Sequence, residues 1–370
     1  MSGAQHLYLH LPFCSSRCGY CDFVTVVGRS ADHAGYVGAL LQELALERDH
    51  LAPELETIYL GGGTPTFTEP DALEHLLHAL PGCDELTVEA NPETVTSELA
   101  ALLARNRVDR VSIGAQSFHT RLLDVLERRA TPEDVRRAVH RLRDAGIGNI
   151  SIDLIYGIPG EKPADLARDL AEIVELAPEH VSAYELEAKP GTRFTHAHGD
   201  ELAQQAEALE GSFEAVVDAL TGAGYRWYET ANFCLDMERA GGRDLRARHN
   251  LGYWRGEDYL GIGVGAVSTI ENRRWRNAPS LTRYLAALAE GQTPPRDVEP
   301  LALDVKAVER VMLGLRLDEP LPLGDLGSVL DGSEVEQLER LGLVARHEDG
   351  LVLTRRGRFV GGAVTARVLV

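Results

Sequence analysis

The run His10-Leu-Pro-Phe-Cys-Ser-Ser-Arg-Cys-Gly-Tyr-Cys-Asp-Phe23 sets three cysteines, Cys14, Cys18 and Cys21, at the spacing C-x3-C-x2-C. A closed zinc site takes four tetrahedral ligands, and a complete iron–sulfur cluster also takes four. Three thiolates around a four-iron cluster leave one iron open, and an open iron is a place for chemistry. A small zinc knuckle completed by a remote histidine is the alternative reading of the same residues. The run follows Leu7-Tyr-Leu-His-Leu11, an apolar alternation that reads as a strand. The cysteines therefore sit at the end of a first strand.

Outward from that strand, β-branched runs alternate with helical stretches, the pattern of a parallel α/β sheet. Strands are expected at 6–12, 57–61, 85–90, 110–116, 150–156 and 180–186. Helices are expected near 31–48, 70–80, 97–106, 132–145 and 164–176, with start signals at Thr68-Glu-Pro-Asp71, Thr96-Ser-Glu98 and Thr131-Pro-Glu-Asp134. Six β/α units are two short of a closed eightfold barrel, so the expected fold is an open, partial (β/α)6 barrel of the TIM type, with its site at the C-terminal ends of the strands. A helix over 200–222 completes it. The expected division is a barrel over 1–224, a β-rich extension and linker over 225–298, and a C-terminal domain over 299–370. In the last, a helix over 301–316, helices near 324–331 and 333–341, and two strands about the turn Glu348-Asp-Gly350 resemble a winged helix.

A winged helix invites a DNA reading, but residues 301–370 carry nine Lys/Arg against eleven Asp/Glu. The whole chain of 370 residues has a net charge of −20, which disfavours nucleic acids and anionic membrane surfaces. No apolar run reaches the ~18 residues of a membrane span, and no secretory signal is read. Five cysteines, three of them clustered, point to a reducing cytoplasm rather than a disulfide scaffold. Cys83 and Cys234 read as inert thiols.

Several strand ends carry polar residues. Leu60-Gly-Gly-Gly-Thr-Pro-Thr66 ends the second strand, and its glycines let backbone groups approach a ligand. Glu89 lies in Thr87-Val-Glu-Ala-Asn-Pro92, Gln116 in Ser112-Ile-Gly-Ala-Gln-Ser-Phe118, and Asp153 in Ile152-Asp-Leu-Ile-Tyr-Gly-Ile-Pro-Gly160. Such groups on apolar strands are costly unless paired or bound. Each alone reads equally well as a satisfied core group; three on successive strands suggest a shared ligand. Arg128, in Leu126-Glu-Arg-Arg129, reads either as a solvated helix end or as a fork for a carboxylate.

Taken together, these stretches resemble the HemN-related branch of the radical S-adenosylmethionine (SAM) superfamily along essentially the whole chain. Tyr8-Leu-His-Leu-Pro-Phe-Cys14, Gly61-Gly-Gly-Thr-Pro-Thr66, Asp153-Leu-Ile-Tyr-Gly-Ile-Pro-Gly160, His249-Asn-Leu-Gly-Tyr-Trp254 and Met312-Leu-Gly-Leu-Arg-Leu317 carry the resemblance. It implies a 4Fe-4S cluster on Cys14, Cys18 and Cys21. It also implies SAM contacts at Tyr8, Gly62, Gly63, Thr64, Glu89, Gln116, Arg128 and Asp153. In that family SAM chelates the open iron and accepts one electron, giving a 5′-deoxyadenosyl radical.

The branch holds two activities, an oxygen-independent coproporphyrinogen III dehydrogenase and a haem chaperone that delivers haem to acceptor proteins. The dehydrogenase typically has a cysteine two residues after the third cluster ligand, where this chain has Phe23. It also carries a longer N-terminal extension than the thirteen residues before Cys14. Both features favour the chaperone, with no dehydrogenase activity and with haem as cargo. The resemblance implies His249 as a haem ligand, imidazole being a good axial ligand; a neutral structural histidine is the alternative. A haem carboxylate would need a basic pocket, which the arginines of 239–248 or of Arg273-Arg-Trp-Arg276 could supply; surface solvation is the alternative role for most of them. Glu93, Ala130 and Val267 depart from the family's pattern of glycine, histidine and histidine, which bears on contacts in those regions.

Overall fold

In the computed structural model, which describes residues 3–189, 193–205, 208–324, 326–348 and 350–370, six parallel strands stand side by side in chain order. They are β1 (His6–Leu11), β2 (Leu55–Gly62), β3 (Cys83–Ala90), β4 (Arg110–Gln116), β5 (Ile150–Tyr156) and β6 (His180–Glu185). Each agrees with its expected range to within two residues. Intervening helices, among them His33–Leu46, Pro70–Ala79, Ser97–Arg105, Pro132–Asp144 and Pro163–Leu176, cover the outer face.

Alternation explains the two faces of the sheet. On β1, Leu7, Leu9 and Leu11 are fully buried in the main core, and each contributes about 1.5–3 kcal/mol of burial. The intervening His6, Tyr8 and His10 face the barrel interior and find partners there. The Thr96 and Thr131 signals behave as expected: the Thr96 hydroxyl accepts from the Leu99 N–H, and Thr131 forms a capping box with Asp134. Thr68 does not cap. Its hydroxyl is buried without a partner, and Glu69 takes the N-cap position before Pro70.

The 225–298 segment is not set apart from the barrel. Its strands extend both edges of the same sheet and share its core. A hairpin of β7 (Tyr225–Glu229) and β8 (Asn232–Leu235) adds antiparallel to β6. At the other edge β9 (Tyr259–Ile262) pairs parallel with β1, followed by β10 (Val267–Ile270), β11 (Arg273–Asn277) and β12 (Arg296–Pro300). The twelve-stranded order is β12-β11-β10-β9-β1-β2-β3-β4-β5-β6-β8-β7, an open barrel.

The expected helix over 200–222 is two helices, Arg193–Gln205 and Leu209–Gly222, with 206–207 outside the described residues. The C-terminal part has its own core, built on Val311, Leu315, Leu338, Val344, Leu351 and Val368. Its helices Leu303–Gly314 and Gly332–Arg340 and strands Val344–His347 and Gly350–Leu353 follow the winged-helix expectation. The turn at 348–350 includes residue 349, and the helix near 324–331 includes 325; both lie outside the described residues. Within that last stretch Leu326–Val329 is a 3-10 turn. Two short helices, Arg355–Phe359 and Gly361–Val368, follow. Arg226 binds Asp318 with two hydrogen bonds, and Arg316 binds the buried Glu229, which fixes this domain to the β7–β8 hairpin.

Candidate functional site

Past the end of β1 the chain forms a two-residue strand, Phe13–Cys14, paired in parallel with Val26–Val27, so the cysteine loop between them is closed at its base. His10 fastens the loop from below. Its Nε2 donates to the Val24 carbonyl at 2.8 Å, because a carbonyl can only accept. The Nδ1 then accepts from the Tyr8 hydroxyl at 3.1 Å. Burial lowers the His10 pKa, in keeping with this neutral form.

All five cysteines are free thiols. Cys14 is buried beside the Thr64 hydroxyl, 3.5 Å from its Sγ, and Arg128 Nη1 stands 3.6 Å from Cys18 Sγ. Burial raises the pKa of Cys14 and of Cys21. Burial alone would lower the Arg128 pKa, but Tyr20 and Cys18 outweigh it and raise it. Cys83 and Cys234 lie elsewhere in the fold, with burial pushing their thiols up to about 11 and about 12.

The glycines after β2 are required sterically. Gly62 has φ of +111°, and a Cβ on it would come within 2.6 Å of the His10 ring. A Cβ on Gly63 would meet the Pro12 carbonyl at 2.6 Å. The Gly62 N–H donates to Glu89 at 3.1 Å, and the Tyr59 hydroxyl donates to the same carboxylate at 2.7 Å. Burial, with a smaller repulsion from Asp153, pushes the Glu89 pKa up to about 7. Asp153 accepts from the Ser112 hydroxyl at 3.1 and 3.2 Å, and burial raises its pKa too. Two carboxyls held near one another in a low-dielectric interior favour a cationic ligand, which would ease both.

Arg128 is positioned by Asn91 Oδ1 at 2.8 Å and the Gly114 carbonyl at 2.6 Å. Asn91 also donates to Thr64 at 3.0 Å, so one amide joins the glycine loop to the arginine. The Arg128 Nε and a Glu93 carboxylate oxygen are buried without partners. Gln116 takes φ of +69° at a bulge in β4, a strained conformation that re-aims the side chain. Gly62, Glu89 and Gln116 stand at or next to the C-terminal ends of β2, β3 and β4, and Gly63 and Thr64 just past β2, whereas Tyr8 and Asp153 lie mid-strand on β1 and β5 and Arg128 lies in the chain after the helix that follows β4. The donor set of three thiols, two carboxyls and an arginine with an orphaned N–H fits a thiolate-held cluster with a zwitterionic, cationic ligand beside it.

His249 lies elsewhere, in the barrel floor, and is 1% exposed. Its Nδ1 meets the Thr57 hydroxyl at 2.7 Å and its Nε2 the Tyr253 hydroxyl at 2.8 Å. Burial drives its pKa down to about 3. In this conformation neither nitrogen is free to ligate iron, contrary to the axial-ligand expectation. The adjoining chain plugs the floor: Arg248 N–H donates to Glu85 and Ala247 N–H to Tyr228. Of the three departures from the family pattern, Ala130 is buried, and Val267 pairs across strands with Arg276.

Sequence reasoning passed over Asn91, Tyr59 and His10. Asn91 stands two residues past Glu89 and Tyr59 three before Gly62, both inside quoted or adjoining stretches, so strand alternation from Glu89 and Gly61 would have found them.

Residues 8–173 match the Radical SAM superfamily and residues 301–360 the HemN C-terminal domain. The chain is 38% identical over 377 residues to the Heme chaperone HemW of Mycobacterium tuberculosis (strain ATCC 25618 / H37Rv), covering 98% of this chain and 94% of that protein. It is 32% identical over 378 residues to the Heme chaperone HemW of Bacillus subtilis (strain 168), covering 96% and 97%. Among solved structures, coproporphyrinogen III oxidase (HemN) from Escherichia coli, described as a radical SAM enzyme, superposes with a TM-score of 0.78. It is 23% identical and covers 98% of this chain and 90% of its own, a likeness of fold.

Proposed function

The chain belongs to the radical SAM superfamily and, in its HemN-related branch, to the HemW family, and on that premise we propose that it is a haem chaperone that binds a 4Fe-4S cluster and SAM, takes up haem and hands it to acceptor proteins. The observation that carries this reading is 38% identity along 98% of the chain to a protein of that name. Phe23 in place of a further cysteine supports it against the dehydrogenase. Phe23 is 63% exposed on the cysteine loop.

Cys14, Cys18 and Cys21 would hold the cluster and leave one iron for SAM. When bound and reduced, the cluster supplies one electron to the SAM sulfonium. The protein's own work is to bind, orient and keep out water. Glu89 and Asp153 attract the cationic groups of the ligand, Arg128 forks its carboxylate, and Gly62, Gly63 and Thr64 let the backbone come close. Tyr8, held through His10, and Gln116, aimed by its bulge, line the same space.

Action in the cytoplasm accords with the free thiols and with the described residues, where no helix is long and apolar enough to cross a membrane. The test uses the full chain reconstituted anaerobically. The chaperone reading expects stoichiometric haem uptake, transfer to an apo-acceptor, and no conversion of coproporphyrinogen III. Turnover of coproporphyrinogen III overturns it in favour of the dehydrogenase.

A further inference from the structure

A cleft of about 640 Å³ opens between the β9–β11 edge of the sheet and the helix Leu303–Gly314 of the C-terminal domain. That volume lies within the ~300–1,000 Å³ of small-molecule sites. Its walls are apolar and aromatic: Tyr253, Trp254 and Tyr259 on one side, Leu301, Leu313 and Leu326 on the other. The Tyr253 and Tyr259 rings meet edge to face at 4.6 Å, a rigid platform for a flat ligand.

The charges around the cleft do not cancel. Glu309 is taken by Arg274 through two hydrogen bonds of 2.8 and 2.7 Å, and Glu257 by His6 at 2.7 Å. Glu319 is shared by Arg255 and Arg246. Lys306 donates to the Glu271 carbonyl. Arg310 alone of the cleft's arginines donates no hydrogen bond to a described residue, although it is half-buried. Its side chain lies against two glycines: a Cβ on Gly256 would come within 3.1 Å of its Cδ, and one on Gly314 within 2.9 Å of its Nη1. Trp254 adds a second orphan, a buried indole N–H with no partner. Burial lowers the Arg310 pKa, against the opposing pull of Glu257 and Glu319 and with a further push from Arg255, as expected of a guanidinium without a close anion.

Resting on the haem-cargo reading, we propose that this cleft receives the tetrapyrrole and that Arg310 anchors one of its carboxylates. A planar apolar body with carboxylates at one edge matches aromatic and leucine walls with a fork of free N–H donors at one end. The second large cleft, about 610 Å³, is a poorer match. Its Arg358 gives Nη1 to the Trp227 carbonyl at 2.7 Å and lies 3.6 Å from the Trp227 ring centroid, and its unpartnered Nε and Nη2 are buried out of reach of solvent; its Arg316 is bound to Glu229.

The experiment is haem titration of the cluster-loaded full chain, followed at the Soret band. Arg310→Ala is expected to bind haem about ten- to a hundredfold more weakly, the loss typical of a charge-assisted hydrogen bond, and Arg310→Lys to recover part of it. Haem dimethyl ester, which lacks free carboxylates, is expected to bind the unaltered protein at least about tenfold more weakly than haem and to be indifferent to Arg310→Ala. The ester arm needs no variant, so a folding defect cannot mask the answer. Equal binding of haem and its ester, unchanged haem affinity in folded Arg310→Ala, or a loss confined to Arg358→Ala overturns the assignment while leaving the chaperone reading standing. Absence of haem binding by the unaltered protein overturns both.

Discussion

The Nδ1 of His249 lies 2.7 Å from the hydroxyl of Thr57, in the floor of the barrel. The opposite ring nitrogen meets Tyr253 at 2.8 Å, and the ring face rests on Tyr59 with centroids 5.0 Å apart. A histidine so engaged braces the floor beneath the side chain that holds Glu89. His249→Ala would leave the Tyr253 hydroxyl without its partner and Thr57 with His6 alone, at a cost of about 1–3 kcal/mol. Denaturant unfolding is expected to show that loss, while the Soret maximum of bound haem stays where it is. A displaced Soret band in a variant of unchanged stability would make His249 the iron ligand after all.

The same burial gives a pH signature. His249 has its pKa lowered from 6.5 to about 3 by desolvation, with a smaller push from His6. Above pH 6.5 both folded and unfolded chains carry it neutral and its contribution is complete. As pH falls below that value the unfolded chain takes up a proton that the folded chain refuses, so stability declines until about pH 3. His249→Gln should therefore lose less stability than the unaltered protein between pH 7 and pH 5. Parallel unfolding curves at those two pH values, differing by a constant, would refute this.

Glu89 titrates in the opposite sense. Desolvation raises its folded pKa from 4.5 to about 7, so without a cation beside it the carboxyl is mostly protonated below that pH. A cationic ligand favours the carboxylate, and its binding must expel that proton. SAM affinity is expected to rise with pH through about 7 and to level off above it. Glu89→Gln should bind weakly at every pH and lose the dependence. Isothermal titration in two buffers of different ionisation enthalpy reads the released proton directly.

Much of this was legible in the sequence because the signals were local. The alternation of Leu7, Leu9 and Leu11 marks β1, and Thr96 and Thr131 mark helix starts through hydroxyls that reach only three residues on. The cysteine spacing is local too, and so is the glycine run. What stayed hidden depends on partners far along the chain. Nothing near His249 announces Thr57, which is 192 residues away. Asn91 joins Thr64 to Arg128 across three elements, and its neighbour Pro92 suggests only a turn. The sheet edges were hidden for the same reason, since β9 finds β1 across some 250 residues of chain by register rather than by motif.

The cluster assignment has a direct check. Cys14→Ala, Cys18→Ala and Cys21→Ala should each abolish the four-iron centre, because three thiols are all the loop offers. Cys83→Ala and Cys234→Ala should leave iron and sulfide content and the reduced EPR signal unchanged. Their thiols are raised to about 11 and about 12 and belong to other parts of the fold. An intact cluster in Cys18→Ala would remove the basis for the whole reading.

Asn91 offers the sharpest separation of positioning from fold. Its amide receives Arg128 at 2.8 Å and donates to Thr64 at 3.0 Å, while Thr64 lies 3.5 Å from Cys14. Removing it leaves Arg128 the Gly114 carbonyl at 2.6 Å and the longer contact to Cys18 Sγ at 3.6 Å. The guanidinium can then swing, and a fork that must meet a carboxylate in fixed geometry loses its aim. Asn91→Ala is expected to weaken SAM binding by about tenfold, the worth of one to two ordinary hydrogen bonds, with cluster content and melting temperature nearly unchanged. Asn91→Asp should restore the acceptor for Arg128 but not the donor for Thr64, and so recover part of the affinity. If Asn91→Ala instead lost the cluster while the remaining protein bound SAM normally, the amide would serve the cysteine loop through Thr64 and not the arginine.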